Sequence, residues 1–481
     1  MNKKTISSLL ISVFVLTGCA GEYSAEKDFY KASKIFEHAA KNAKISPQEK
    51  LASVYAPAIH AFENLVEKYP ASPKALESLF RITWMQIRLG NYREARAALQ
   101  KIVSNFSQSG TSGSDARFEI GRLYELEGQW KKAEALYWET AENYPFHKKG
   151  LYAPIYILLH YENQKGDKQE SAKEETFLKA KDYYESRLKK MGPIQMSAEV
   201  QNYLALLYLA HGDWQKARQV WLAASRDYPT SPASPLFLVE AADLTSQKNE
   251  AHEAIGLYRR FLKQYRNHSL AEKVTLQIGI IHLLQTKNYT QARQWLQRAL
   301  DRYAGADPPA RQAGIKLLIG KTYQNQKQWE PAVKIYREIE QAYPTTSAAL
   351  EVPLLVWLHY DSEGETEKAQ AAFKQALAHY NQLAKASPQT KLAQRAKRYR
   401  NFLYGKKGDW KQVLANMDED IASEKRAELK ANWLFEKAVI TEKQLQDKTK
   451  AIDFYQDFLT RFPNHRLAGV AKTRLAVLSK E

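Results

Sequence analysis

The sequence predicts an all-α solenoid of about eleven stacked helical hairpins, on three observations. A small residue recurs at near-constant spacing, a bulky apolar residue follows it one helical turn later, and an aromatic residue closes most units. The small residues are Ala58, Ala95, Ala133, Ala180, Ala217, Ala254, Ala292, Ala332, Ala369, Val413 and Ala451, most of them 37 to 40 residues from the next. Four positions on stand Phe62, Leu99, Tyr137, Tyr184, Trp221, Tyr258, Leu296, Tyr336, Phe373, Met417 and Tyr455. Residues four apart share a helix face, so each pair offers a close-approach point beside a bulky knob.

The remaining positions of the unit follow the same logic. Three residues before the small position, where the second helix begins, are Tyr55, Tyr92, Trp130, Phe177, Trp214, Tyr289, Trp329 and Trp410, with Ala251, Thr366 and Lys448 as exceptions. Eleven residues after it the helix is expected to close on Tyr69, Phe106, Tyr144, Met191, Tyr228, Tyr265, Tyr303, Tyr343, Tyr380 and Phe462; only Glu424 departs. Proline follows at Pro70, Pro145, Pro229, Pro344 and Pro463, which stops the helix. Earlier in the unit, Gly121 with Tyr124, Ala205 with Tyr208 and Gly320 with Tyr323 place another close-contact position one turn before an aromatic. Gly90-Asn91, Gly128-Gln129, Gly212-Asp213 and Gly408-Asp409 mark tight turns between the paired helices, where glycine tolerates positive φ.

This combination resembles the tetratricopeptide repeat: a small residue and a tyrosine in the first helix, then alanine, an aromatic and a proline in the second. The resemblance covers about nine tenths of the chain and implies a right-handed superhelix of tetratricopeptide-type hairpins whose inner face holds partner proteins. The expected organisation is a leader over residues 1–18, an anchor, tether and first helix over 19–45, and the repeat array over 46–481.

The leader reading rests on Lys3 and Lys4, the apolar run Ile6 to Leu16, and Leu16-Thr17-Gly18-Cys19. The run suits an export signal and is too short to span a bilayer. Its end resembles the bacterial lipoprotein signal, which implies that Cys19 accepts a diacylglyceryl group and further acyl chains that anchor the protein stably in a membrane. Cys19 is the one cysteine in the chain, so an internal disulfide is excluded. Ala20 stands where an aspartate implies inner-membrane retention, so the resemblance implies an outer-membrane protein facing the periplasm. A hairpin array on such an anchor is similar to the BamD-like and Tol-Pal-associated CpoB-like families, which act as periplasmic scaffolds in β-barrel insertion and in envelope constriction.

Composition excludes a disordered chain, with 44% hydrophobic residues, 28 Tyr and 10 Trp. The formal net charge is +18, of which Lys3 and Lys4 supply two. That field favours acidic partners of any class, including acidic proteins, anionic lipids and exported polysaccharides. The export signal argues against nucleic acid. The best anion-binding candidate is the cluster Lys391, Arg395, Lys397, Arg398, Arg400, Lys406, Lys407 and Lys411, weighed against a solvated helix face. Arg259, Arg260, Lys263 and Arg266 form a smaller group open to the same two readings.

Two long spacings predict insertions near Gln164 to Lys173 and near Lys385 to Thr390, expected as loops, and Ser107 to Ser114 reads as a flexible link. No phosphate loop, Gly-x-Ser-x-Gly elbow or paired-histidine metal motif occurs, so neither catalysis nor a cofactor nor a metal is expected. His147, His211, His268 and His465 read as surface or capping residues at hairpin ends. The function expected is a non-catalytic scaffold binding envelope proteins of an assembly complex. The alternative is a component of an exopolysaccharide export complex that binds an anionic polymer.

Overall fold

In the computed structural model, which describes residues 3–43, 50–106, 110–162, 166–192, 195–302, 308–386, 388 and 390–479, the described chain is helical throughout and contains no strand. It divides into two units, residues 1–250 and 251–481. The first holds α1 (Lys3–Asn42), α2 (Leu51–Lys68), α3 (Pro73–Leu89), α4 (Tyr92–Asn105), α5 (Gly110–Leu126), α6 (Trp130–Asn143), α7 (Lys148–Glu162), α8 (Asp167–Met191), α9 (Gln195–His211), α10 (Trp214–Asp227) and α11 (Ser234–Gln247). The second holds α12 (Ala251–Gln264), α13 (Ala271–Leu284), α14 (Tyr289–Arg302), α15 (Pro309–Asn325), α16 (Trp329–Ala342), α17 (Ser347–Ser362), α18 (Thr366–Ala386), α19 (Lys391–Lys406), α20 (Trp410–Ser423), α21 (Ala427–Lys443), α22 (Lys448–Arg461) and α23 (Ala468–Leu478). Within each unit, consecutive helices pack as antiparallel hairpins: α1 with α2 through α9 with α10, and α13 with α14 through α21 with α22.

Local chemistry sets the punctuation. The Ser72 hydroxyl caps α3 by accepting from the Lys74 amide at 3.1 Å, and Pro73 takes the first helical position, where its missing N–H costs nothing. Gly90 ends α3 at φ 78°, and its amide returns to the Gln86 and Ile87 carbonyls. Gly212-Asp213 and Gly408-Asp409 do two jobs in two residues. The glycines adopt φ 96° and 75° to end one helix. The aspartates open the next by accepting from the Lys216 and Gln412 amides at 3.0 and 3.1 Å. Where the sequence lacks glycine, Asn249, Lys287, Lys327 and Gln446 take the left-handed conformation themselves, at φ 52° to 63°.

The small and bulky positions form the core. Ten of the eleven small residues are at most 1% exposed, the other being Ala369, and all eleven partners one turn on are buried. The first helices carry glycine where the bulky partner docks. A Cβ on Gly121 would come within 2.6 Å of the Tyr137 ring, and one on Gly320 within 2.4 Å of Tyr336. The aromatics Tyr69, Phe106, Tyr144, Tyr228, Tyr343 and Phe462 cap their helices as expected, while Tyr303 lies outside the described residues.

Three expectations are corrected. The insertion near Gln164 to Lys173 does not make a loop in its described part: Asp167 to Ser171 are the first turns of α8, which runs 25 residues against 14 in a regular second helix. Its charges suit a helix, since Lys173 pairs with Glu170 one turn away and with Glu162 of α7. The second insertion likewise lengthens α18 to 21 residues, so Tyr380 does not close it but sits buried within it, donating to the Leu350 carbonyl at 2.8 Å. Gly110 to Ser114 belong to α5 and not to a flexible link; a Cβ on Gly113 would meet the Tyr144 hydroxyl at 2.7 Å, so the small residue serves packing. Residues 107–109 lie outside the described part. So do Gln164 and Lys165, and the side chains of residues 1–21, Cys19 among them.

Candidate functional site

Two hairpins share one polar and aromatic arrangement at the contact with the next repeat. In the third hairpin, Glu125 of α5 accepts from Tyr137 of α6 at 3.0 Å and from Tyr156 of α7 at 2.9 Å, and lies 3.3 Å from His160 Nδ1. The His160 ring lies flat against Trp130, whose indole N–H donates to Tyr161 at 2.9 Å. The eighth hairpin repeats the plan: Tyr336 donates to Gln324 at 2.7 Å, Trp329 stacks on His359, and its N–H donates to Tyr360 at 3.3 Å. Burial raises Tyr137, Tyr156 and Tyr336 above the usual phenol range, and Glu125 adds to the first two.

The tenth hairpin, like most of the others, lacks this set, and differs at four of its positions, Thr441 standing where Tyr161 and Tyr360 receive the indole N–H. At the same distances from its small residue, Gly405 replaces Glu125 or Gln324, Met417 replaces the tyrosine and Ile440 replaces the histidine; Trp410 alone is kept. Hollows of about 540 and 690 Å³ lie beside Tyr336 and between α2 and α4, and a cleft of about 590 Å³ lies between α19 and α21, floored by α20. Val413, Met417 and Ile440 give it an apolar floor, Trp410 and the buried Trp433 give it walls, and Phe402 stands exposed at its rim. Gly405 lets Trp410 lie against the helix backbone, since a Cβ there would stand 2.9 Å from the indole.

The eight predicted basic residues do not converge. Arg398 and Lys406 are exposed and line this cleft, with Lys397 deeper in. Lys397 and Arg400 are both buried and share one carboxylate: Asp420 lies 2.9 Å from Lys397 Nζ and 2.8 Å from the Arg400 guanidinium. Charges out of water need such a partner, so these two are structural in first place. Arg395 donates to Ser347 of α17, Lys407 lies 4.2 Å over Phe373, and Lys391 and Lys411 are exposed at the starts of α19 and α20. In the smaller group, Arg259 lies 5.7 Å over Trp295.

Sequence reasoning missed Glu436, Trp433 and Asp420. Glu436 lies at the cleft mouth, accessible yet crowded by protein, and that crowding pushes its carboxyl above the usual range while Arg398 opposes the shift. The signal that marks the place is the coincidence of exceptions in one unit: Val413 for alanine, Met417 for a ring, Glu424 for the closing aromatic. Glu424 is buried and receives the Lys425 and Arg426 amides and the Arg426 guanidinium, at 2.8 to 3.0 Å. Of the hairpin-end histidines, His268 and His465 cap, each Nδ1 accepting an amide at 3.2 Å, while His211 stacks on Phe177 and lies 3.0 Å from Glu174. Among the described residues no group of three or more metal-ligating side chains gathers, and no helix is long and apolar enough to cross a membrane.

Tetratricopeptide-repeat family profiles match residues 86–148, 203–269 and 239–307, and a second profile of the same description matches 316–346 and 434–465. The chain carries tetratricopeptide repeats. Its fold is the corresponding all-α solenoid of helical hairpins. Among solved structures, this tetratricopeptide chain is similar to BtubC from P. vanneervenii, at 14% identity over 54% of this chain and 90% of that one, with a TM-score of 0.32. It is similar to yeast Tom70 at 13% identity over 95% and 99%, with a TM-score of 0.36. A tetratricopeptide repeat protein from Parabacteroides merdae matches at 14% identity over 59% and 98%, with a TM-score of 0.33. No curated protein sequence matches the chain.

Proposed function

We propose that this tetratricopeptide protein is a non-catalytic scaffold, lipid-anchored through Cys19 in the outer membrane, that holds partner proteins of envelope or cell-wall assembly on its helical-repeat surface. The observation that carries the reading is where the apolar surface lies. Trp84, Leu126, Leu209, Leu284 and Phe402 are all large, all exposed, and all on the first helices of their hairpins. Single exposed apolar residues are ordinary, but their repetition along one class of helix suits a surface built for protein contact. The leader-like first residues, ending in Leu16-Thr17-Gly18-Cys19, support the envelope setting.

The test is crosslinking in cells, with a Cys19→Ala chain as control, followed by mass spectrometry of the captured proteins. Enrichment of barrel-assembly or cell-wall proteins, lost or reduced in the control, is expected. Recovery of no protein above background sinks the scaffold. A second reading, binding of an anionic exported polysaccharide, is favoured by the net charge of +18, and recovery of polysaccharide-export components would replace the first reading with it.

A further inference from the structure

The first helix turns a chemically distinct face outward. Phe29, Ala32 and Ala39 of α1 are buried in the core shared with α2 and α3. Away from that core stand Tyr23, Lys27, Tyr30, Lys34, Glu37 and Lys41, all exposed, at spacings that alternate between four and three and so keep them in one stripe. Tyr23 and Tyr30 are 72% and 63% exposed, and Lys34 Nζ lies 5.5 Å over the Tyr30 ring. A phenol has an apolar body with a polar tip, and a lysine has an apolar stem with a charged head, so both suit the boundary between hydrocarbon and water. We propose that this stripe lies on the lipid surface and holds α1 parallel to it.

The place of the anchor selects a membrane over a protein. Tyr23 follows Cys19 by four residues of the same helix, a rise of about 6 Å. A lipid on Cys19 therefore brings Tyr23 to the headgroups whatever the tilt of the helix. Tyr30 lies about 16 Å along α1 from Cys19, so an upright helix would leave its ring in water and a flat one sets both rings at the same depth. Lys27, Lys34 and Lys41 outnumber Glu37, the one carboxylate of the stripe, which Lys34 holds at 2.9 Å. Glu26 flanks the stripe on one side, and Lys31 and His38 flank it on the other. The surplus of lysine suits anionic headgroups, which attract cations held near the surface. The inference rests on the lipid anchor of the proposed function and adds how the chain is oriented upon it.

The test uses the mature lipidated chain, purified from membranes and reconstituted in vesicles of phosphatidylethanolamine and phosphatidylglycerol. The diacylglyceryl thioether consumes the Cys19 thiol, so His38→Cys, or Gln100→Cys on α4 as a control, supplies the one free thiol for a nitroxide label. Electron paramagnetic resonance reads collisions with an aqueous nickel chelate and with oxygen, which concentrates in lipid. His38 lies about 28 Å along α1 from Cys19, so only a helix lying flat brings it to the surface. Its label is expected to be about threefold or more less accessible to nickel than the label at Gln100, with oxygen access retained. Tyr23→Ser with Tyr30→Ser is expected to restore nickel access at His38 while circular dichroism and lipidation stay unchanged, because both rings are exposed. A His38 label as open to nickel as that at Gln100, or shielding that the serine chain keeps, overturns the proposal. Loss of both nickel and oxygen access at His38 marks a protein contact in place of lipid and overturns it as well. Mass spectrometry of the N-terminal peptide separates the two levels: acyl chains on Cys19 with an open His38 label leave the anchor standing alone, and a bare Cys19 removes the anchor and this inference together.

Discussion

The indole of Trp130 lies on the imidazole of His160 with ring centroids 3.3 Å apart and planes 2° from parallel. Trp329 and His359 repeat the contact at 3.6 Å and 17°. In each case the tryptophan opens a second helix and the histidine comes from the first helix of the next hairpin, so the stack joins neighbouring repeats. Replacing Trp130 by alanine is expected to cost about 3 kcal/mol, the lower end for a tryptophan because the ring is half-buried. His160→Ile, which installs the residue found beside the tenth-hairpin cleft, is expected to cost about 1 kcal/mol. Urea denaturation followed by circular dichroism measures both; an unchanged midpoint for Trp130→Ala would remove the stack as an inter-repeat joint.

Acid is expected to weaken the second unit. Burial holds His282, His359 and His379 below the usual imidazole value of 6.5, with Arg259 and His252 adding to the effect on His282. The unfolded chain therefore takes up these protons first as pH falls. Their contribution is complete above about pH 6.5 and is lost on acidification below it, until the folded groups protonate in turn. The urea midpoint should fall between pH 7.5 and about 5.5, and replacing all three by glutamine should flatten that slope. A midpoint that rises on acidification contradicts the assignment.

Backbone conformation at the turns yields a pair of opposite effects. Lys327 holds φ 60°, where a side chain costs about 1 kcal/mol, so Lys327→Gly is expected to raise stability by up to about that amount. Gly90→Ala should lower it by about 1 kcal/mol, although nothing lies within 4 Å of the added carbon, because the penalty is in the backbone alone. Thermal denaturation of the two variants decides; shifts of the same sign would show that packing governs these turns.

Asp420 is the counter-ion of two buried cations. Asp420→Asn leaves Lys397 and Arg400 unbalanced and is expected to cost about 3 kcal/mol, whereas replacing all three by apolar residues of similar size should cost far less. The comparison, read by differential scanning calorimetry, separates the penalty of a stranded charge from the worth of the cluster.

At the other end, Glu442 shows what a well-served carboxylate does. Its burial opposes the charge, but hydrogen bonds from Arg474, Lys443 and Tyr455 outweigh it and hold the carboxyl at about 2. Its contribution is therefore present above about pH 4.5 and is lost as pH falls toward 2, and Glu442→Gln should cost about 2 kcal/mol at neutral pH. Loss of protection of α23 in hydrogen exchange is the expected accompaniment, since Arg474 ties that helix to α21.

Much of this was legible one residue at a time. Small against large at four-residue spacing, glycine at a left-handed turn and proline after a closing aromatic each encode a local geometric need, and the chain meets them where the sequence places them. The charged run after Gly166 was misread because charge marks solvent exposure without saying whether the exposed backbone is loop or helix. The eight cations around α19 were misread as one group for a related reason: nearness in sequence on a helix scatters side chains around its whole circumference.

By itself, then, the sequence determined the repeat, its period, its turns and the identity of its core, because those depend on contacts within one hairpin or between neighbours at fixed separation. Only tertiary structure decided which cations face water and which are spent on Asp420. It alone revealed that Gly405, Met417 and Ile440, spread over three helices, face one another. A cleft is an absence shared by several elements, and no single helix can report the volume that three of them fail to fill.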